Sequence, residues 1–206
     1  MIHGVTFPIS AGVVALALLA GKLGQDGTAY FPQSLREATV HCAFGFRKTQ
    51  VIGEHRADWY GAHLRAAGEE PIFDRLTPSL RFTWLRSFDA PVVVRLDTTA
   101  EGAVLMTATE LSGHGGYDPG NVARRIERRL SAEESAALAR VLEDTDALQE
   151  RPRACDLGLD GAQWIFESTG PGGYRFVDRQ SPRDGPVRDL GLHLLALTGW
   201  TYDQIY

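Results

Sequence analysis

Lysine is nearly missing from this chain: Lys22 and Lys48 stand alone against nineteen arginines. That imbalance reads as genome base composition, and no function attaches to it. With 21 Lys and Arg against 26 Asp and Glu, the formal net charge of −5 excludes a general nucleic-acid footprint and confines any basic surface to a local patch. Cysteine is as scarce. Cys42 and Cys155 are the only two in 206 residues, too sparse for a zinc site. In an exported chain they read as a disulfide; in the cytosol they are two free thiols. No internal repeat or low-complexity tract is present, and no Gly-Lys-Ser/Thr phosphate loop.

Charge is also absent from Gly4 to Gly21, whose middle reads AGVVALALLAG. The apolar core of a secretory signal is roughly 7 to 15 residues long, whereas a membrane span wants about 20. Ile9 to Gly21 fits the shorter length, so residues 1–29 are expected to be a signal peptide or short anchor. Gly27-Thr28-Ala29 before Tyr30 is the best cleavage candidate, although no Lys or Arg precedes the apolar run. Lys22 occupies the place of a lipoprotein's acylated cysteine, which excludes acylation there. The alternative is a buried first helix of a cytosolic protein, or upstream codons included in the chain. Residues 30–206 then form one domain, a size that folds on its own core.

Periodicity outlines that domain. Residues 22–33 look like a connector, Ser34 with Glu37 has capping-box form, and Glu54 to Ala67 reads as a helix with Trp59, His63 and Ala66 inward. Arg81 to Phe88 alternates with period two, and Pro91–Asp97 and Ala103–Leu111 continue an antiparallel meander. Asn121 to Leu130 leans to strand despite four arginines. Ser131 with Glu134 is a second capping box, opening a helix that ends near Leu148. Ala162–Ser168 and Tyr174–Gln180 form a hairpin, and Pro186 opens a last helix. The expectation is an α+β domain with helices packed on an antiparallel meander sheet.

Residues that could carry chemistry are few. Placing Ser168 opposite Tyr174 sets Phe166 against Phe176, Trp164 against Asp178, Gln163 against Arg179 and Glu167 against Arg175. Asp178 then lies at the edge of an apolar face, as does Arg86 on its own strand, and the two are expected to meet as an ion pair beneath a helix or a substrate clamp. With Trp84, Trp164 and Arg179 they make the candidate binding set. His114 and Asp118, inside the glycine-rich Gly113–Gly120 stretch, are the best catalytic-looking pair, able to exchange protons beside exposed backbone N–H groups. An ordinary turn explains the same residues. His55 and His63 would lie about 12 Å apart on one helix, too far to share a metal. Asp156 and Asp160 read as turn carboxylates, and Arg124 to Arg129 as a solvated face or a contact for acidic headgroups. No metal or cofactor is expected.

The segments Arg81-Phe-Thr-Trp-Leu-Arg-Ser-Phe88, Gly115-Gly-Tyr117, Gly158-Leu-Asp-Gly-Ala-Gln-Trp164 with Glu167, and Asp178-Arg179 with Ser181-Pro182 resemble a family of uncharacterised bacterial proteins. The resemblance spans about residues 59 to 199. It implies a shared fold and, often, an apolar leader, but no activity, cofactor or ligand. Gln180 stands where an aromatic is expected.

Together these readings favour a non-catalytic binding or accessory protein of the cell envelope, inhibitor-like, with an unknown protein or small-molecule partner and membrane contact through residues 4–21. The alternative is a small hydrolase using His114 and Asp118 near Asp160 and Glu167.

Overall fold

The computed structural model describes residues 30–42, 47–155, 158 and 160–206. The leader over residues 1–29 and the turn carboxylate Asp156 therefore fall outside the described residues. Within them the chain forms four helices and eight strands in a single-domain α+β fold. In chain order these are α1 (Gln33–Glu37), β1 (Thr39–Cys42), β2 (Arg47–Gln50), α2 (Glu54–Ala66), β3 (Ser79–Arg86), β4 (Val92–Thr98), β5 (Val104–Leu111), β6 (Val122–Arg129), α3 (Ala132–Thr145), β7 (Ala162–Thr169), β8 (Arg175–Gln180) and α4 (Pro186–Leu197).

All neighbours in the six-stranded sheet, ordered β6-β5-β4-β3-β7-β8, are antiparallel. Strand β3 is central and buried along its whole length, so each of its faces must be covered. On one face Phe82, Trp84, Val94, Trp164 and Phe166 pack against Leu138 of α3 and Leu190 and Leu194 of α4. On the other, Leu85, Val93, Ile165 and Phe176 meet Tyr60 and Leu64 of α2 and the aromatics Tyr30 and Phe31. The result is three layers with the sheet in the middle. A Cβ on Gly191 of α4 would overlap the Trp164 ring, so this helix–sheet approach requires glycine.

Helix α3 opens on the expected cap: Ser131 Oγ accepts from Glu134 N (3.1 Å) and Glu134 returns a bond to Ser131 N (2.7 Å). Arg128 donates to both Glu134 oxygens (2.7 and 2.8 Å). Led by the Arg128 bonds, these contacts hold the Glu134 carboxyl down at about 2. A carboxyl depressed in the folded state contributes stability above its ordinary value of 4.5, and that contribution is lost as pH falls through about 2. NMR titration of Glu134 is expected to give a midpoint near 2, with Arg128→Ala returning it towards the ordinary range. An ordinary midpoint in the unmodified protein would remove the bidentate pair.

Several expectations need correction. Helix α1 begins at Gln33 after Pro32 without a side-chain cap, so Ser34 is not its N-cap. The buried face of α2 carries Ala57, Tyr60, Gly61, His63 and Leu64, while Trp59 and Ala66 are only partly covered. Helix α3 stops at Thr145, where Asp146 turns left-handed, and a short 3-10 turn over Ala147–Gln149 completes the run to Leu148. The hairpin β7–β8 is shifted by one residue from the expected register: Trp164 opposes Arg179, Ile165 opposes Asp178 and Glu167 opposes Phe176. One residue of slip moves a side chain to the other face of a sheet. It carries Phe176 and Asp178 to the α2 side.

Cys42 and Cys155 are joined by a disulfide, with Cα atoms 5.4 Å apart. The bridge ties the isolated two-stranded hairpin β1–β2 to the segment leading into β7. Arg153 Nη1 reinforces it by donating to the Gln50 carbonyl (3.0 Å).

Candidate functional site

The register shift separates the expected pair. Arg86 lies on the α4 side, its guanidinium 4.2 Å from the Trp84 ring centre and donating to the Ala90 carbonyl (2.8 Å). Asp178 lies on the α2 side and accepts from Arg56 (2.9 Å) and Tyr60 (3.1 Å). Burial raises the Asp178 carboxyl, opposed by the Arg56 guanidinium and the Tyr60 hydrogen bond. Arg56→Ala, and not Arg86→Ala, is therefore the substitution that takes the ion-pair partner from the buried Asp178 and is expected to destabilise the fold.

The other candidate binding residues are also occupied. Trp84 and Trp164 are fully buried, and both indole N–H groups donate to the Tyr206 carbonyl (3.4 and 2.9 Å). Arg179 pairs with Glu150. In the arginine-rich strand β6, Arg124 pairs with Glu110 (2.8 Å) and lies over Trp200, and Arg125 pairs with Glu127. Trp84, Trp164 and Arg124 fasten the last residues to the sheet, and Arg179 holds Glu150 to β8.

The glycine-rich loop is a tightly bonded turn. His114 N donates to the Asp118 carbonyl (2.9 Å), Tyr117 N to the His114 carbonyl (3.0 Å), and Asp118 Oδ1 accepts from Gly120 N (2.7 Å). Gly115 N donates to Asp89 O and Gly116 N to Ser87 O, which presses the loop onto the β3–β4 corner. The glycine N–H groups are thus spent inside the fold, not aimed at a ligand. His114 and Asp118 are exposed. Glu167 is buried in an ion pair with Arg81, which stands five residues before Arg86 on β3, or roughly 17 Å along the strand. The loop docks at the far end, beside Arg86, so the expected approach of Glu167 to His114 is overturned.

Gly115 is required for that docking, because a Cβ there would lie 2.5 Å from both the N and O of Arg86. Gly115→Ala is expected to push the loop off the corner and destabilise the protein by about 1 to 3 kcal/mol, as overpacking does. Urea unfolding checks the value, and a neutral substitution would show that the approach is not tight.

What the docked loop displays is aromatic. Tyr117 is 67% exposed and Phe88 54% exposed, yet their rings sit against one another with centroids 6.3 Å apart. Two grooves adjoin them. One, of about 310 Å³, is bordered by His55, Trp59, Ser87, Gly116, Tyr117 and Asp160. The other, of about 660 Å³, runs past Phe88, Asp89, Asp160, Ser181, Asp203 and Tyr206. Asp160 borders both. Trp59 is fixed by donation from Nε1 to the Gly115 carbonyl (2.7 Å). Below it, His63 is buried, with Nδ1 donating to the Trp59 carbonyl (2.9 Å), and burial lowers its pKa. Tyr206 donates its hydroxyl to Asp89, and burial followed by that carboxylate pushes the phenol up to about 12.

Sequence reasoning placed Asp160 near the loop but missed Phe88, Tyr117, Asp89 and Asp203. For Tyr117 a signal existed, a large aromatic within a glycine-rich turn; Phe88 reads as the last residue of the Arg81–Phe88 alternation, but the strand ends at Arg86 and leaves Phe88 in the turn. Among the described residues no group of three or more His, Cys, Asp or Glu side chains is placed to hold a metal ion.

No family model matches the chain, and no curated protein matches it. Among solved structures it is similar to one of SsgB, reported with mutations that correlate to longitudinal cell division during sporulation of Streptomyces coelicolor. The two are 17% identical over 60% of this chain and 87% of that one, with a TM-score of 0.19. A value that low does not establish a common fold.

Proposed function

We propose that this chain is a non-catalytic binding domain of the cell envelope, and that it recognises its partner through the grooves around Phe88 and Tyr117. The exposed ring pair carries the reading. Two large apolar side chains held outside the core, on a corner fixed by Gly115 and by the Tyr206–Asp89 bond, are costly to leave in water unless something covers them. A rigid aromatic anchor beside polar groups is the usual centre of a binding surface.

The envelope assignment draws on the apolar run over residues 4–21 and on the Cys42–Cys155 bridge, which suits an oxidising compartment. The resemblance to leader-bearing bacterial proteins agrees with it. Intact mass and fractionation of the natively expressed protein test the location. A bridged chain in the envelope fraction is expected, and a reduced chain in the cytosol would contradict it. For the surface itself, Phe88→Ala with Tyr117→Ala is expected to leave stability within about 0.5 kcal/mol and to abolish partner binding. Unchanged binding by the double variant would refute the assignment.

A further inference from the structure

We infer that the two grooves take a cationic group, so that the partner presents lysine or arginine side chains to them. The inference rests on the binding-domain reading. Its basis is the charge of the lining. Among the described residues the two grooves together are bordered by three carboxylates, Asp89, Asp160 and Asp203, one imidazole, His55, and no lysine or arginine. The chain carries nineteen arginines, and elsewhere they pair with buried and half-buried carboxylates such as Glu167, Glu110 and Glu134.

Here they do not. Among the described residues no cation lies within salt-bridge distance of Asp160 or Asp203. Asp89 has only Arg86 at 4.0 Å, and that guanidinium is buried against Trp84 with its hydrogen bonds directed to the Ala90 and Gln204 carbonyls. The aromatic walls have the same preference. Ring faces are negative, and a cation over them is attracted within about 6 Å. Tyr117 and Phe88 are exposed rings, and Trp59 gives its one donor to the Gly115 carbonyl. Asp160 and Asp203, carboxylates with no cation of their own among the described residues, repel an anionic ligand beside these rings and complement an ammonium or guanidinium. A neutral sugar would use the rings but not the charge.

Titration of the isotopically labelled protein with acetyl-tetralysine amide, followed by amide NMR shifts, tests this, with chitotetraose as the neutral probe. Tetralysine is expected to shift Gly116, Tyr117 and Gly161 selectively. Its affinity should fall about tenfold in Asp160→Asn/Asp203→Asn and again with added salt. Glu133→Gln/Glu143→Gln, a matched charge change on exposed positions of α3, should leave it unaltered. Tyr117→Ala, tested alongside, should weaken binding without loss of fold. Diffuse shifts, or equal loss in the control variant, would overturn the cationic inference. Salt-independent binding of chitotetraose at the same residues would overturn it while upholding the binding-domain reading. No groove shift with either probe, together with unchanged partner binding by the ring-pair variant, would overturn both.

Discussion

Glu167→Ala is expected to destabilise the domain by about 3 to 5 kcal/mol, the loss seen when one member of a buried ion pair is removed. Glu167 and Arg81 face each other across β3 and β7, both excluded from solvent. Arg81 donates to Glu167 through Nε (2.9 Å) and Nη2 (2.6 Å), and Tyr174 adds its hydroxyl at 2.8 Å. Burial, followed by the neighbouring Glu167 charge, raises the Tyr174 phenol well above its ordinary range. On the next strand Arg95 directly opposes Arg81, and Glu69 stands between the two guanidiniums at 3.6 and 3.5 Å. Removing Glu167 leaves the buried Arg81 with Glu69 alone, a carboxylate it shares with Arg95, which also pairs with Asp97 (3.1 Å). Arg81→Leu in the Glu167→Ala background should recover part of the loss, because both unpaired charges are then gone and Glu69 keeps Arg95. Urea unfolding of the single and double variants gives the values. A loss below about 1 kcal/mol for Glu167→Ala would mean that water reaches the pair.

Removal of the disulfide by Cys42→Ser and Cys155→Ser is expected to cost about 4 to 5 kcal/mol, since the bridge closes a loop spanning 113 residues. For a domain of this size that corresponds to a fall of roughly 10 to 18 °C in Tm. The reason is also local: an isolated two-stranded hairpin is marginal by itself, and among the described residues β1–β2 pairs with no other strand. Hydrogen exchange in residues 39–42 and 47–50 should quicken before the sheet is affected. Equal Tm values for the oxidised and thiol-free proteins would show that the hairpin is held by other contacts.

Much of the fold was legible because strands β3 to β8 and helices α3 and α4 carry strong alternation, caps and turn residues. The arginine-rich Val122–Arg129 keeps a period-two pattern, and it is a strand despite its charge. The hairpin β1–β2 was not legible: four-residue strands such as TVHC and RKTQ carry too little pattern. The one-residue register error in β7–β8 had the larger consequence. Since β3 and β7 are covered on both faces, Phe176 and Asp178 suited either side by polarity, and sequence could not choose. That choice decided whether Asp178 met Arg86 or Arg56. The candidate site was hidden for a related reason, because Phe88, Tyr117, Asp160 and Asp203 come from four loops that only tertiary docking brings together.

Photo-crosslinking through benzoylphenylalanine at position 117 in natively expressed protein is the most direct test of the central claim, that the ring-lined grooves are the recognition surface. Leu76, 96% exposed and bordering neither groove, serves as the control position. A discrete adduct at 117, competed by the unmodified protein but not by the Phe88→Ala/Tyr117→Ala variant and absent at 76, is the predicted result. The same adducts at both positions, or none at 117, would contradict it.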